Sequence, residues 1–476
     1  MTTRREFLKN ATLASAGLAF GGVSAKASAA SYNRIVGANR KINIAHIGIG
    51  FRGLEMVREM DRTGLVNVVA LCDVDLGAPH TLEALALHPN AKRFKCFREM
   101  FDKASRDFEA VIVNTPDFSH FPVTMQAMAF GKHVFVEKPL ARTFLEVDLM
   151  EKAAKKYPNV VTSMINQGHS GDNYHQFRVW KDAGVIRDIT KVTAHMNNPR
   201  RWHPWDPSIY RFPRETPKPE TLDWDAWLSQ SFWHDYAEGY YHRGQWRGWY
   251  SFGMGALGDW GAHLIDTVHR FLELGMPTEV NPLHLTYHND YFFPMCSTIE
   301  FKFPRRGDMP PLDLTWYDGV HNIPQVPDGF GDVPVDPNIP MVAGQPFQPT
   351  ALRPGKILYG RDITFRGGSH SSPLTIIPAE RGAEMERAGL LPDYPRNQSD
   401  HYLNFVLACL GEEESRSPFA VSGPLSKVFC LGVITQRLNR SIRFDRQTER
   451  VINDPIADAL LVGPPPRKGW EEFYVL

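Results

Sequence analysis

Short apolar runs alternate with helix-like segments in the part of the chain that follows residue 40. Four runs are apolar almost without interruption, at residues 41–47, 66–71, 110–113 and 133–136. Three segments carry apolar side chains at helical spacing, at residues 54–60, 121–130 and 144–156. Short buried strands that alternate with helices are typical of a parallel sheet covered on both faces. The pattern predicts a doubly wound α/β domain over residues 34–163.

The pattern changes after residue 163, where irregular stretches rich in Trp, Tyr and Pro precede β-type runs at 283–287 and 297–303. Residues 320–354 are rich in Pro, Gly and Asp and predict a long loop. Helical spacing returns at 400–410 and 424–438. We therefore expect a second α/β domain over residues 164–476, built on a large, mainly antiparallel open sheet. Its final helices are expected to pack back near the first domain.

A glycine motif, Gly48-x-Gly50-x-x-Gly53, lies directly between the first strand and the first helix. Asp73 ends the next strand 20 residues beyond Gly53, where a carboxylate can hold a ribose diol. The first glycine permits a tight turn, the second lets backbone approach a pyrophosphate, and the third allows close helix packing. This predicts a Rossmann site for NAD, because Asp73 would repel a 2′-phosphate. Arg52 could reach such a phosphate and keeps NADP open.

Four motifs together resemble those of the glucose-fructose oxidoreductase and inositol dehydrogenase (Gfo/Idh/MocA) family. They are Gly48 to Gly53, Asn114-Thr115-Pro116 with His120, Glu137-Lys138-Pro139, and Gly258-Asp259-x-Gly261-x-His263. The resemblance covers essentially the whole mature chain and implies a Rossmann domain followed by an α/β domain whose open sheet faces the nicotinamide. It also implies a homo-oligomer formed through that sheet, and oxidation or reduction of sugars and polyols at a secondary alcohol. The residues expected to bind the cofactor are Gly48, Gly50, Phe51, Arg52, Gly53, Asp73, Asn114, Thr115, Pro116, His120, Glu137, Lys138 and Gln167.

Three residues are candidates for the chemistry. Lys138 follows the carboxyl end of a parallel strand, where its ammonium can stabilise a substrate alkoxide. Asp259 and His263 are four residues apart on a predicted helix over 257–272, so both project from the same face. We assign His263 as the acid/base, with Asp259 orienting it or binding a substrate hydroxyl. The alternatives are a surface lysine, a helix-capping aspartate and a packed histidine.

No metal is expected, although Asp266 extends the spacing of Asp259 and His263 to a possible ligand set. A nearby Lys138 would oppose a cation, and hydride transfer needs no metal.

Two further groups concern the substrate. His169 follows Gln167 at the start of the second domain, and the resemblance places it near substrate; polar loop packing is the alternative. Seven of the eleven tryptophans fall within 48 residues, from Trp202 to Trp249. Flat aromatic faces match the apolar face of a sugar ring, and we select Trp246 as a substrate-binding candidate. An aromatic loop core is the alternative for most of them.

Composition excludes some classes of binding partner, and the N-terminal sequence predicts where the protein is located. Lys plus Arg and Asp plus Glu are each 53, so no global charge attracts nucleic acid, and no membrane span is expected. Arg4 and Arg5 precede a mildly apolar run from Ala11 to Val23 and a small-residue site at 27–29. Residues 1–29 resemble a twin-arginine signal peptide and predict export of the folded protein to the periplasm. An amphipathic start to the fold is the alternative.

Export bears on the reaction, because no NAD pool comparable to that of the cytosol is expected beyond the inner membrane. We therefore expect a tightly retained cofactor and a hydride transfer at a secondary alcohol of a sugar or glycoside. The alternative is a redox-neutral NAD-dependent glycosidase that oxidises, eliminates, hydrates and reduces its substrate. Lys138 favours the oxidoreductase, since the resemblance implies that such glycosidases lack this lysine. A non-catalytic sugar-binding protein is the third hypothesis.

Overall fold

The predicted parallel sheet is present at the start of the described chain. The computed structural model describes residues 40–196, 210–242, 244–319, 322–331 and 352–476. The predicted leader (1–29), Trp202 and Trp205 lie outside these residues. Within them, the chain from Ile42 to Leu476 forms one compact unit.

Six parallel strands form the first sheet: β1 Ile42–Ile47, β2 Val66–Cys72, β3 Lys92–Phe94, β4 Ala110–Val113, β5 His133–Glu137 and β6 Thr162–Ile165. Their spatial order is β3-β2-β1-β4-β5-β6. This is the order of a dinucleotide-binding Rossmann domain, in which the direction of winding reverses between β1 and β4. Ligands bind outside the carboxyl ends of the strands at that point, so the fold places a site where the glycine motif ends β1.

Helices connect these strands: α1 Arg52–Arg62, α2 Pro79–Leu87, α3 Phe97–Ala104, α4 His120–Ala129 and α5 Phe144–Lys156. All four residues of β4 are buried, which explains its unbroken apolar sequence. Thr143 begins α5 with a capping box, in which its side chain accepts from the Glu146 N–H and Glu146 accepts from the Thr143 N–H.

The second sheet has nine strands: β7 Lys191–Met196, β8 Glu279–Thr286, β9 Cys296–Phe303, β10 Leu312–Asp318, β11 Gly355–Tyr359, β12 Thr364–Gly368, β13 Leu374–Ile377, β14 Ile442–Asp445 and β15 Arg450–Ile452. Their order is β13-β12-β11-β7-β10-β9-β8-β14-β15. Strands β7 and β10 are parallel, and the other neighbouring pairs are antiparallel. The prediction of a large, mainly antiparallel sheet is confirmed.

Helices of this second region are α6 Asp172–Asp182, α7 Trp224–Leu228, α8 Gly255–Leu264, α9 Asp266–Phe271, α10 Ala379–Arg387, α11 His401–Leu410, α12 Phe419–Leu438 and α13 Pro455–Val462. The single helix predicted over 257–272 is instead two helices, α8 and α9, which meet at Ile265. Asp259 and His263 both belong to α8, so they remain on one helix. The described residues of the predicted loop, 322–331 and 352–354, contain no helix or strand.

The last long helices lie against the Rossmann sheet and its helices. Phe405 of α11 stacks on Phe135 of β5 with ring centroids 4.5 Å apart. Lys427 of α12 reaches Asp148 and Glu151 of α5 at 3.1 and 3.0 Å. Helix α12 is long and apolar enough to cross a membrane, but 78% of its most apolar window is buried inside the protein, as in a core helix.

Candidate active site

Two adjoining cavities open at the carboxyl edge of the Rossmann sheet. The smaller, of about 140 Å³, is called here the nucleotide cavity, and the larger, of about 640 Å³, the main cavity. Predicted residues that line the nucleotide cavity are Gly48, Gly50, Phe51, Asp73, Asn114, Thr115, Pro116 and Trp246. Predicted residues that line the main cavity are Gly50, Phe51, Arg52, Asn114, Thr115, Pro116, His120, Glu137, Lys138, Gln167, Trp246, Asp259 and His263. Most of the candidate residues are therefore brought together.

The glycine turn has the geometry that its motif requires. Gly48 has a φ of +81°, and a Cβ there would lie 2.6 Å from the Asn114 carbonyl oxygen. A Cβ on Gly53 would lie 2.1 Å from the Gly48 oxygen, so α1 packs directly onto the turn. A Cβ on Gly50 would meet the His80 ring at 2.3 Å. His80 stacks on Phe51 at 4.7 Å and lies over the turn, where sequence reasoning did not expect a side chain.

Asp73 lies at the end of β2 in the wall of the nucleotide cavity. Its Oδ2 accepts a hydrogen bond from the Ile49 N–H at 2.9 Å, and its Oδ1 accepts from the Asp75 N–H at 3.0 Å. Burial raises the pKa of this carboxyl, and the two backbone donors oppose the rise. The carboxyl is thus fixed at the place where a ribose diol is expected.

Arg52 points away from Asp73 and lines the main cavity. Its Nε donates to Glu137 Oε1 at 2.7 Å and its Nη2 donates to the Tyr402 hydroxyl at 3.3 Å. Burial alone would raise the pKa of Glu137, but Arg52 and Lys138 outweigh it and lower that pKa. Because Arg52 is held by Glu137, its arrangement favours NAD over NADP at the Asp73 end.

The cavity walls carry polar atoms that fit a dinucleotide. Neither side-chain amide atom of Asn114 has a hydrogen-bond partner among the described residues, and the same holds for Thr115 Oγ1 and Gln167 Oε1. Buried polar groups are normally paired, so these atoms are suited to a polar ligand. Gln167 is itself held by the Tyr402 hydroxyl, to which its Nε2 donates at 3.0 Å.

Lys138 is directed by Asp259. Its Nζ donates to the Asp259 carbonyl at 2.6 Å and to Asp259 Oδ1 at 2.7 Å. Arg247 Nε lies 3.6 Å from the same Oδ1. An ammonium has three N–H donors, so one remains for an oxygen in the cavity. Asp259 thus orients Lys138, a contact that helical spacing with His263 did not predict.

His263 is buried in the same wall and is held by stacking. Its ring lies on that of His370 with centroids 4.0 Å apart and planes 16° from parallel. The His263 Nδ1 has no hydrogen-bond partner among the described residues. Burial, followed by Lys138 and His370, keeps the pKa of His263 well below 6.5. The imidazole is therefore neutral near pH 7 and able to accept a proton.

His120 joins two loops at the edge of the sheet. Its Nδ1 and Nε2 lie 2.8 Å from the carbonyl oxygens of Pro139 and Thr115. It therefore fixes the loop that carries Lys138 relative to the loop that follows β4.

The two substrate-binding candidates, Trp246 and His169, lie in different places relative to the cavities. Trp246 lines both cavities, and the Arg247 guanidinium lies 4.2 Å from its ring centroid. His169 is buried behind these walls, with Nδ1 3.5 Å from Asp266 Oδ2. Gly53 and His169 line neither cavity.

Most described members of the tryptophan group form an aromatic core. Trp224, Trp227, Trp249 and also Trp246 are buried in this core, while Trp233 is 56% exposed.

Asp117, Arg247 and His370 also line the main cavity but are absent from the sequence-based candidates. Asp117 directly follows the Asn-Thr-Pro motif and could have been noticed there. His370 lies between β12 and β13, more than 100 residues after His263, and only the fold brings them together. Among the described residues, no cluster of His, Cys, Asp or Glu is placed to hold a metal ion.

Comparisons with known proteins agree with this geometry. The oxidoreductase-family model for an NAD-binding Rossmann fold, GFO_IDH_MocA, matches residues 42–164, and the model for its C-terminal alpha/beta domain matches residues 184–290. The chain belongs to the Gfo/Idh/MocA oxidoreductase family. Residues 42–164 accordingly form a Rossmann domain of the NAD-binding type, and the glycine turn lies where such a domain holds its cofactor.

Curated relatives match part of the chain. One is the alpha-N-acetylgalactosaminidase of Shewanella oneidensis, 29% identical over 205 residues, which are 36% of this chain and 44% of that protein. Another is glycosyl hydrolase family 109 protein 2 of Shewanella sp. ANA-3, 28% identical over 203 residues with the same coverage. The match thus spans less than half the length of these relatives.

Solved structures share the fold over most of the chain. The WlbA dehydrogenase of Bordetella pertussis, crystallised with NADH and UDP-GlcNAcA, has a TM-score of 0.54 at 14% identity, covering 85% of this chain and 99% of its own. The aldose-aldose oxidoreductase of Caulobacter crescentus has a TM-score of 0.51 at 14% identity, covering 85% and 100%.

Proposed function

We propose that this chain transfers a hydride between a secondary alcohol of a sugar or glycoside and a tightly held nicotinamide. The observation that carries the proposal is the convergence of Lys138, Asp259 and neutral His263 in one wall of the main cavity, next to the glycine turn. The ammonium supplies a donor, and the imidazole supplies a proton acceptor. A binding protein without catalysis has no use for such a pair.

Each residue has a defined task in alcohol oxidation. His263 accepts the proton of the reacting hydroxyl, because its lowered pKa keeps it neutral. Lys138, oriented by Asp259, donates a hydrogen bond to the same oxygen as negative charge develops on it. NAD, when bound, supplies the acceptor for the hydride. In the reverse direction, His263 returns the proton to the oxygen.

A sugar-like substrate is supported by the wall of the main cavity. Trp246, Arg247 and Gln167 line this wall, so an aromatic side chain lies beside a guanidinium and an amide that can donate hydrogen bonds. A volume of about 640 Å³ lies in the range of small-molecule sites. One relative is named an alpha-N-acetylgalactosaminidase, and the WlbA dehydrogenase was crystallised with UDP-GlcNAcA, so both names concern amino sugars.

The test is a panel of methyl glycosides of glucose, galactose, N-acetylglucosamine and N-acetylgalactosamine, followed by NMR of the products. A keto-glycoside together with reduced nicotinamide is the expected result. If nicotinamide neither co-purifies with the protein nor binds to it, the proposal fails.

The redox-neutral glycosidase is the second candidate, favoured by the names of the Shewanella relatives. On the same panel it would release the free sugar with solvent deuterium at C2. Lys138 is the residue that favours the oxidoreductase, since the family resemblance implies that such glycosidases lack this lysine.

Export through residues 1–29, periplasmic location and a homo-oligomer formed through the second sheet remain predictions. Fractionation of expressing cells tests the first two, and light scattering of the purified protein tests the third.

A further inference from the structure

Asp117 is a buried carboxyl of the main cavity for which the proposed hydride transfer gives no task. It begins a short 3₁₀ helix, Asp117–Ser119, at the carboxyl end of β4. The neighbouring strand β5 leads into Lys138, and strand pairing places β4 and β5 side by side. Only 5% of Asp117 is exposed, and it lines the main cavity.

The surroundings of Asp117 hold it in place and bear on its charge. Its Oδ2 accepts a hydrogen bond from the Met254 N–H at 3.0 Å, which fixes the carboxyl against the start of α8. The charged groups that face it are Arg247, Asp259 on α8 and Lys138 after β5. One carboxylate and two cations thus surround a carboxyl that is almost withdrawn from solvent.

This environment leaves Asp117 able to carry a proton under ordinary conditions. Burial raises its pKa most, Arg247 and Lys138 oppose the rise, and Asp259 adds to it, giving a pKa of about 7. A carboxylic acid donates a hydrogen bond through its O–H, whereas a carboxylate only accepts. Below about pH 7, the cavity therefore has a donor in the 3₁₀ helix that follows β4, in addition to the Lys138 ammonium.

We infer that Asp117 donates a hydrogen bond to a second substrate hydroxyl, adjacent to the one that loses the hydride, and so selects vicinal diols over isolated secondary alcohols. Asp117 follows β4 and Lys138 follows β5, neighbouring strands lie about 4.8 Å apart, and both side chains line the main cavity, so the two groups can serve adjacent oxygens of one small molecule. Lys138 and His263 serve the reacting oxygen, and Asp117 serves its neighbour. This inference rests on the proposed hydride transfer.

The test compares the glycoside that is oxidised best in the panel with its monodeoxy analogues. Three proteins are compared with wild type: Asp117→Ala, Asp117→Asn and the exposed control Asp102→Asn on α3. Asp117→Ala should lower kcat/KM for the full glycoside roughly tenfold or more, and should change it little for the analogue lacking the neighbouring hydroxyl. Equal losses on both substrates would overturn the inference.

The asparagine variant separates hydrogen bonding from folding. Asparagine keeps an N–H donor but cannot ionise, so Asp117→Asn should keep kcat/KM within a few fold near pH 6. It should also lose the fall in kcat/KM that wild type shows above about pH 7. A profile identical to that of wild type overturns the inference, as does an Asp102→Asn protein that shows the same change.

A readout without turnover completes the design. In protein labelled with ¹³C at aspartate carboxyls, the resonance missing from Asp117→Asn should titrate near pH 7. Titration of that resonance in the ordinary range of aspartate would overturn the inference. If wild type oxidises no glycoside, the proposed function fails; if it does so with an unchanged deoxy preference in Asp117→Ala, only the present inference fails.

Discussion

The stacked pair of His263 and His370 sets the protonation state of the proposed base. The pKa of His263 lies well below 6.5, because burial, Lys138 and His370 all disfavour a further positive charge. The neutral form therefore persists as the pH falls through the ordinary histidine range. We expect no fall in kcat/KM for glycoside oxidation as the pH is lowered from about 7 to 6, where an unperturbed histidine would become half protonated. A loss that follows a pKa of 6.5 in the free enzyme would refute the assignment.

Asp73 is the residue that decides cofactor choice. Replacing it with Ala removes an ionised acceptor fixed by Ile49 and Asp75, so affinity for NAD should fall about 10- to 100-fold, corresponding to about 1.5–3 kcal/mol. Affinity for NADP should fall less, because the like charge opposing a 2′-phosphate is also lost. Titration calorimetry on cofactor-free protein measures both. Unchanged discrimination in the variant, with Asp102→Ala as the control, would contradict this role.

At the scale of elements, the helix that follows β5 depends on its capping box. Thr143→Ala removes the acceptor for the Glu146 N–H, and we expect a loss of about 1 kcal/mol in the free energy of unfolding. Glu146 also accepts a hydrogen bond from the Tyr474 hydroxyl at 2.7 Å, so the cap is tied to the C-terminal segment. Urea unfolding provides the measurement. Thr190→Ala, at an exposed threonine, is the control and should change stability little; equal effects would argue against the cap.

Elements were predictable wherever local pattern determines them. Helix α5 has the predicted bounds, and β1, β2, β4 and β5 lie within one residue of theirs at each end. Their apolar runs are continuous because both sheet faces are covered. The sequence did not predict the split between α8 and α9, because the apolar spacing continues across Ile265 although the helix is interrupted there. The short strand β3 carries exposed Lys92 and Arg93, and so gave no apolar signal.

The site was predictable only as far as its motifs extend. Short sequence motifs contain the glycine turn, Lys138 and the pair of Asp259 and His263 on α8. These residues can therefore be recognised as candidates without a structure. Arg247 reaches the cavity from a 3₁₀ helix, Gln245–Gly248, and His370 from the connection between β12 and β13, so their roles depend on tertiary placement. His169 shows the opposite error, since proximity in sequence to Gln167 did not bring it to the cavity wall.

At the scale of the whole molecule, buried histidines contribute more than buried carboxyls to the pH dependence of stability. Burial lowers the pKa of six histidines from 6.5, to about 3 for one and about 4 for the rest: His46, His133, His195, His234, His269 and His401. As the pH falls below 6.5, the unfolded chain takes up protons at these positions and the folded chain does not. Their contribution to stability is therefore lost toward acid.

Carboxyls whose pKa is raised by burial act in the opposite direction; they are Asp73, Asp117, Glu151 and Asp318. Burial raises the pKa of Asp117 and Asp318 to about 7, so their contribution is fully present below 3.8 and is lost as the pH rises to 7. The six histidines outnumber these four carboxyls in the shared window, and we expect Tm to fall by several degrees from pH 7 to 5. Scanning calorimetry across that range provides the measurement. A Tm that rises over the same range would contradict these buried states.

The most direct test of the central claim follows nicotinamide absorbance when the glycoside panel is added to the NAD-bound protein. We expect reduced nicotinamide to appear with at least one glycoside in wild type and in the exposed control Lys155→Met. In Lys138→Met the rate should fall about 100-fold or more, while NAD remains bound, because the donor to the reacting oxygen is lost. A protein that holds NAD but reduces it with no glycoside, or a Lys138→Met variant as fast as wild type, would contradict the account.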